Sequence, residues 1–104
     1  MHILILGAGQ VGTTAAYHFA REEANEVTIV DSNAAVLRDL QDRLDVRTVV
    51  GHASFPAVLE RAGARDADMI IALTNSDEIN MIACQIAYTL FQPPTKIPRL
   101  RAAE

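Results

Sequence analysis

The stretch that decides the fold is Ile3-Leu4-Ile5-Leu6-Gly7-Ala8-Gly9-Gln10-Val11-Gly12. An apolar run typical of a buried strand leads into glycines with the spacing GxGxxG, and an amphipathic segment follows from Val11 to Arg21. The next apolar run ends at Asp31, 19 residues after Gly12. Strand, glycine turn, helix and acidic residue in this order are typical of a dinucleotide-binding βαβ unit.

Each glycine has its own predicted role at this corner. Gly7 makes the tight turn off the strand, Gly9 lets a pyrophosphate approach the backbone, and Gly12 lets the helix pack closely on the sheet. The first helical turn leaves N–H groups such as those of Gln10, Val11 and Gly12 without partners, and the helix macrodipole adds positive potential there. We therefore predict that this corner binds a diphosphate.

Asp31 supplies the second half of the predicted site, with Ser32 beside it. The carboxylate stands at the end of the run Glu26-Val27-Thr28-Ile29-Val30, where it can accept hydrogen bonds from both hydroxyls of a ribose. Because its charge repels a 2′-phosphate, NAD(H) or an adenosine nucleotide such as ATP is favoured over NADP(H). The alternative interpretation is that Asp31 only caps the helix that begins near Ser32 or Asn33.

The composition bounds the class of protein. A chain of 104 residues, half of them hydrophobic, suits one small domain with a modest core. Nine basic and thirteen acidic residues give a net charge of −4, which argues against a nucleic-acid partner. The one cysteine, Cys84, lies in an apolar run where a buried thiol is expected, and a lone cysteine excludes a disulfide framework. With no signal segment or long apolar stretch, we expect a soluble cytoplasmic protein.

Short continuous apolar runs alternate along the chain with longer segments of helical periodicity. This pattern predicts an α/β fold with a doubly wound, Rossmann-like parallel sheet. The predicted strands are His2 to Leu6, Glu26 to Val30, Val46 to Val50, Met69 to Leu73 and Ile97 to Arg101. The predicted helices are Val11 to Glu23, Ala34 to Leu44, Phe55 to Ala62 and Asp77 to Phe91. Ser54 and Pro56 mark the start of the third helix, and Gly63 suits the left-handed position after it.

The carboxyl-terminal end predicts an incomplete sheet. Doubly wound nucleotide-binding domains usually have six strands, and this sequence stops after the fifth. Pro98 places that strand at an edge, because proline cannot donate to a neighbouring strand. We expect a sheet truncated to about five strands, with residues 1–104 forming one nucleotide-binding domain of a longer chain.

The loops after the third and fourth strands hold the remaining candidate ligand contacts, because ligands lie outside the carboxyl ends of strands in such sheets. The run Gly51-His52-Ala53-Ser54 leaves room for an adenine beside the His52 ring. The run Thr74-Asn75-Ser76-Asp77-Glu78 offers side chains that suit ribose or phosphate. Alternatives stay open, since the serines and Asp77 also suit helix caps and His52 also suits a position facing solvent.

Neither a metal site nor a catalytic centre is predicted. His2 and His18 have no cysteine or carboxylate partner at metal-ligand spacing. No GxSxG motif, Cys/His pair or pair of catalytic carboxylates stands out, so we predict that the chain is not an enzyme. One alternative is the cofactor-binding half of an NAD-dependent dehydrogenase, whose proton donor lies elsewhere. Another is a dimerisation module with a vestigial pocket.

Several motifs together resemble one family of regulatory domains. They are GAGQVG, Asp31 after Thr-Ile-Val, Gly51 to Ser54, Ala67-Asp68-Met69, Leu73 to Met81 with the pattern T-x-S-D-E-x-N-M, and Ile97 to Arg101. The chain resembles the TrkA-N, or RCK (KTN), family over nearly its whole length. The stretch T-x-S-D-E-x-N-M is much more specific than GxGxxG.

The resemblance implies a cytoplasmic domain that binds NAD(H), or in some relatives ATP or ADP, and controls the gating of a potassium-uptake transporter or channel. It implies homodimers or larger homo-oligomers that lie at the inner face of the membrane through a transporter partner. The implied nucleotide contacts are Gly7, Ala8, Gly9, Gln10, Val11, Gly12 and Asp31, flanked by Gly51, His52, Ala53, Ser54, Thr74 and Asn75. Arg101 matches a basic position that can reach phosphate, and Gln10 stands where relatives often have arginine.

Overall fold

A computed structural model describes residues 1–91 and 95–98, which form a parallel sheet with helices on both faces. The strands are β1 (His2–Leu6), β2 (Glu26–Asp31), β3 (Arg47–Val50), β4 (Met69–Ala72) and β5 (Thr95–Pro98). The helices are α1 (Gln10–Ala20), α2 (Ala34–Arg43), α3 (Pro56–Arg61) and α4 (Asp77–Leu90), with a 3-10 turn over Ala64–Asp66. The predicted doubly wound, Rossmann-like α/β fold with about five strands is therefore confirmed.

The order of the strands creates a crevice at one end of the sheet. The five strands lie in the order β3-β2-β1-β4-β5, and every neighbouring pair is parallel. The chain runs outward from β1 to β3 and then crosses back to β4 on the other side of β1. The carboxyl ends of β1 and β4 therefore border the point where the direction of winding changes, which is where ligands of such sheets bind.

Two apolar clusters hold the helices against the two faces of the sheet. Alternate residues of the central strand β1 point to opposite faces, so Ile3 and Ile5 pack in one cluster while Leu4 and Leu6 pack in the other. The first cluster also contains Ala16, Leu37 and Leu40 from α1 and α2. The second contains Leu59, Ala83 and Ala87 from α3 and α4. Burial on both faces explains why β1 is a continuous apolar run.

The ends of two predicted elements differ from the structure by more than one residue. Helix α1 ends at Ala20 rather than Glu23, because the Asn25 side-chain amide and the Glu22 N–H both donate to the Phe19 carbonyl, at 3.1 and 3.3 Å. Strand β5 begins at Thr95 rather than Ile97. Pro98 pairs with Ala72 on an edge strand, as predicted. The predicted continuation of this strand through 99–101 lies outside the described residues.

The start of α3 also differs from the prediction. Ser54 does not cap this helix, because its N–H and hydroxyl both face the His52 ring and Phe55 occupies the cap position. Pro56 in the first turn and the left-handed Gly63 (φ +87°) after the helix are both confirmed. Cys84 is buried, as expected. No helix in the described part of the chain is long and apolar enough to cross a membrane.

Candidate functional site

A cleft of about 330 Å³ opens at the carboxyl ends of the strands, at the crevice beside β1. Residues from the loops after β1, β2, β3 and β4 line it. The predicted site residues among them are Gly7, Gly9, Asp31, Ser32, Gly51, His52, Ala53, Thr74 and Asn75. Val30 and Ile79 also line the cleft and were not predicted. The structure thus brings four separate stretches of the sequence to one place.

The glycine corner is shaped by two very close backbone approaches. Gly7 has φ +112°, and a Cβ there would lie 2.7 Å from the Leu73 carbonyl oxygen. A Cβ at Gly12 would lie 1.8 Å from the Gly7 carbonyl oxygen. Both positions therefore require glycine, since a backbone carbonyl at a strand end has little room to move. The close packing predicted for Gly12 is confirmed, and its nearest obstacle is the end of β1.

Gly9 differs from the other two glycines because space around it is open. A Cβ built at Gly9 meets no atom within 4 Å, and the residue lines the cleft. Its backbone is extended (φ −75°, ψ −163°) and precedes the first turn of α1. An added side chain there would intrude on the cleft without disturbing the fold. This geometry matches the close backbone approach predicted at Gly9.

The amino terminus of α1 has no side chain to satisfy its N–H groups. The Thr13 N–H donates to the Gly9 carbonyl at 2.8 Å, so the three preceding amides have no carbonyl a full turn before them within the helix. Within this described helix, no side chain caps the end and no acidic residue lies in the first turn. By contrast, Asn33 caps α2 and Ser76 caps α4. The first turn of α1 is therefore suited to hold an anion.

Five of the remaining predicted residues do not line the cleft, namely Ala8, Gln10, Val11, Gly12 and Ser54. The Ala8 N–H donates to the carboxylate of Asp31, which itself lines the cleft, and Gly12 packs against the Gly7 carbonyl. Gln10 and Val11 line a separate groove along α1. The contacts predicted for Gln10 and Val11 therefore involve their backbone N–H groups rather than their side chains. Arg101 lies outside the described residues.

The Asp31 carboxylate forms hydrogen bonds with both the glycine corner and the residue before α2. Its Oδ2 accepts a hydrogen bond from the Ala8 N–H at 2.7 Å, and its Oδ1 accepts one from the Asn33 N–H at 2.8 Å. The capping of α2 itself is done by Asn33, whose Oδ1 accepts from Ala35 and Val36. The carboxylate is half-buried beside the cleft, and each oxygen retains a second lone pair for a ligand hydroxyl.

His52 is oriented by Ser54. The Ser54 N–H donates to His52 Nδ1 at 3.3 Å, and the Ser54 hydroxyl lies 2.7 Å from the same atom. The ring also stacks on Phe55, with centroids 5.2 Å apart. His52 thus lines the cleft with its ring held by Ser54 and Phe55, and Ser54 itself is not part of the lining.

Asn80 is a residue of this region that the sequence reasoning did not assign to the site. It is fully buried on α4, and its side chain bonds to Thr74 of the loop that lines the cleft. A polar residue between the apolar positions of α4 was the available signal, because such a residue needs buried partners. Its place within T-x-S-D-E-x-N-M indicated the partners.

The fold and the cleft define the class of this protein: a Rossmann-like α/β unit with a cleft and an uncapped helix start at the switch point of its sheet. The chain matches the TrkA-N domain over residues 3–104. It is 64% identical over 102 residues to the Trk system potassium uptake protein TrkA of Halomonas elongata, covering 98% of this chain and 22% of that protein. The chain therefore belongs to the TrkA-N family. It spans about a fifth of the length of that relative.

Solved structures share the fold. The GsuK channel bound to NAD is similar with a TM-score of 0.75 and 26% identity, over 90% of this chain and 17% of that chain. The Kef CTD of Shewanella denitrificans, solved in an AMP-bound form, is similar with a TM-score of 0.78 and 21% identity, over 93% of this chain and 57% of that chain. At 21% identity, the similarity to the Kef CTD shows a shared fold only.

Proposed function

We propose that this chain is the nucleotide-binding regulatory domain of a Trk-type potassium-uptake protein, with NAD(H), ATP or ADP as its ligand. The observation that carries the proposal is the uncapped start of α1, which meets open space at Gly9 beside the carboxylate of Asp31. An anion-binding helix end next to a ribose-binding acid fits an adenosine diphosphate group.

The cleft offers a complementary group for each part of that ligand. The amides of the first turn of α1 hold the diphosphate, and the remaining lone pairs of Asp31 accept from the ribose hydroxyls. The adenine lies beside the His52 ring, where Gly51 and Ala53 leave room. The volume of the cleft, about 330 Å³, lies at the lower end of the range typical of small-molecule sites.

Regulation requires that the nucleotide bind two arrangements of the protein with different affinities. A coupling free energy of roughly 1–3 kcal/mol is typical of such control. We infer that the arrangements are those of paired or further assembled domains on a membrane potassium transporter, at the cytoplasmic face. Support comes from the relatives named as Trk potassium uptake proteins and from the likeness to a channel solved with NAD.

Calorimetric titration with NADH, NAD and ATP tests the proposal. We expect at least one of them to bind, and we expect Asp31→Ala to weaken binding at least tenfold, or about 1.4 kcal/mol. Asn33→Ala is the matched control, since it removes the neighbouring helix cap and leaves the carboxylate in place. Its affinity should stay within threefold of the parent. A parent chain that binds no adenine nucleotide would refute the function.

We also propose that the chain has no catalytic activity. Absorbance of the reduced nicotinamide band, followed with pooled small hydroxy and carbonyl substrates, should not change. Turnover in that assay would favour the dehydrogenase alternative instead.

A further inference from the structure

Asn80 is one of two fully or almost fully buried polar side chains in the described residues, the other being Thr28. Its Oδ1 accepts hydrogen bonds from the Thr74 N–H at 2.9 Å and from the Thr74 hydroxyl at 2.6 Å. Its Nδ2 donates to the Thr74 carbonyl at 3.3 Å. One side chain from α4 thus engages both main-chain groups and the side chain of a single residue in the β4–α4 loop.

Ser76 completes the same hydrogen-bonded unit. The Ser76 N–H donates to the Thr74 hydroxyl oxygen at 3.3 Å, and the Ser76 carbonyl lies 3.1 Å from that oxygen. The Ser76 hydroxyl oxygen in turn accepts from the Ile79 N–H at 3.2 Å and caps α4. The residues of the pattern T-x-S-x-x-x-N therefore fix the conformation of the β4–α4 loop. This conformation directs the polar atoms of Thr74 inward, and the exposed Asn75 is the next residue in the cleft lining.

This loop stands on the opposite side of β1 from the other half of the cleft. Asp31, Gly51 and His52 follow β2 and β3, whereas Thr74 follows β4, and β1 lies between them in the sheet. Gly7 meets the loop directly, since a Cβ there would lie 2.8 Å from the Thr74 nitrogen. A ligand whose ribose lies at Asp31 and whose phosphates cross the end of β1 extends its far half toward Thr74 and Asn75.

We propose that Asn80 is a positioning residue of the nucleotide site: it holds the Thr74–Asn75 loop as the wall that contacts the part of the ligand beyond adenosine monophosphate. This inference rests on the proposed function. Removing the Asn80 amide leaves the Thr74 N–H and carbonyl without buried partners, so the loop must shift to find others. The Asn80 side-chain bonds described above all go to Thr74, so we expect the shift in the β4–α4 loop rather than in the β2–β3 half of the cleft.

The test compares the affinities for NADH and AMP, because a loss of overall structure would weaken both together. For Asn80→Ala we expect NADH to bind at least tenfold more weakly while AMP binding stays within threefold of the parent. Thr74→Val removes the hydroxyl with little change of shape. It should likewise lower the affinity for NADH relative to the affinity for AMP. Gln85→Ala, an exposed change on the same helix, should leave both affinities unchanged.

The ratio of the two affinities decides the outcome. An unchanged NADH-to-AMP ratio in Asn80→Ala would overturn the positioning role, even if both affinities fell. If circular dichroism shows that Asn80→Ala does not fold, the ratio measured for Thr74→Val decides in the same way. A parent chain that binds neither probe would overturn the proposed function together with this inference, whereas a parent that binds both isolates the role of Asn80.

Discussion

At the scale of single residues, the glycine corner shows how one residue type serves different physical needs. Gly12 and Gly7 are required because backbone carbonyls occupy the space of a side chain. Gly9 has open space around it and an ordinary extended backbone, so nothing in the fold requires glycine there. Its absence of a side chain matters only to a molecule that enters the cleft.

The first prediction contrasts the same substitution at two positions of the corner. Gly12→Ala should lower the free energy of unfolding by about 3 kcal/mol, because the new Cβ overlaps the Gly7 carbonyl. Gly9→Ala should change it by less than about 1 kcal/mol and still weaken NADH binding at least tenfold. Urea unfolding and NADH titration measure the two effects. Equal stabilities, or parental affinity in Gly9→Ala, would contradict the roles assigned to these glycines.

The second prediction concerns the charge of Asp31. A carboxylate beside the ribose should make NADPH bind at least tenfold more weakly than NADH, because it repels the 2′-phosphate. Asp31→Asn keeps an oxygen acceptor for the Ala8 N–H and removes the charge. We expect this variant to reduce the discrimination between the two cofactors to less than threefold. Full discrimination in the neutral variant would show that another group excludes the phosphate.

At the scale of elements, the helix starts divide by what satisfies their first N–H groups. Helices α2 and α4 carry side-chain caps from Asn33 and Ser76, while α3 begins with Pro56 after an uncapped Phe55. Helix α1 has neither a side-chain cap nor an acidic residue in its first turn. Helices α1 and α3 thus both lack a side-chain cap, and α1 is the one whose N-cap residue, Gly9, lines the cleft.

The third prediction tests the caps of α2 and α3. Asn33→Ala should cost about 1 kcal/mol, because the Ala35 and Val36 N–H groups lose their acceptor. Ser54→Ala should change stability by less than about 0.5 kcal/mol, because its hydroxyl bonds an exposed ring rather than the helix. Urea unfolding of both variants gives the comparison. A loss at Ser54 equal to that at Asn33 would mean that Ser54 does cap α3.

The strands, the helices and the glycine corner were predictable because their signals are local. Apolar periodicity marked β1 to β4, and the chemistry of the corner was contained within Gly7 to Gly12. Element ends were less predictable. The Asn25 amide bonds to the Phe19 carbonyl at the end of α1, and Ser54 bonds to the His52 ring instead of capping α3. The bond from the Ala8 N–H to the Asp31 carboxylate depends on which loops the folded sheet brings together. Sequence spacing alone does not give that information.

At the scale of the whole molecule, one sheet connects two apolar clusters. Leu37 of α2 packs in the cluster on one face, and Leu59 of α3 packs in the cluster on the other. The strands contribute alternate residues to both clusters, so neither face can lose its packing while the other keeps the sheet intact. We therefore expect the chain to unfold in one cooperative transition.

The fourth prediction follows from this shared sheet. Leu37→Ala and Leu59→Ala should each lower the free energy of unfolding by about 3 kcal/mol, because both side chains are essentially fully buried. Leu90→Ala is the control, since that leucine is 51% exposed, and it should cost less than about 0.5 kcal/mol. Denaturation followed by circular dichroism should show a single transition in all three. Separate transitions for the two faces would contradict the cooperative account.

The central claim is that the corner between β1 and α1 binds an adenine nucleotide. Titrating the isotopically labelled chain with NADH while recording its amide NMR spectrum tests that claim most directly. We predict that the largest shifts fall on the amides of Gly9, Gln10, Val11 and Gly12, followed by those beside Asp31. A spectrum that does not change, or shifts that cluster away from this corner, would contradict the account.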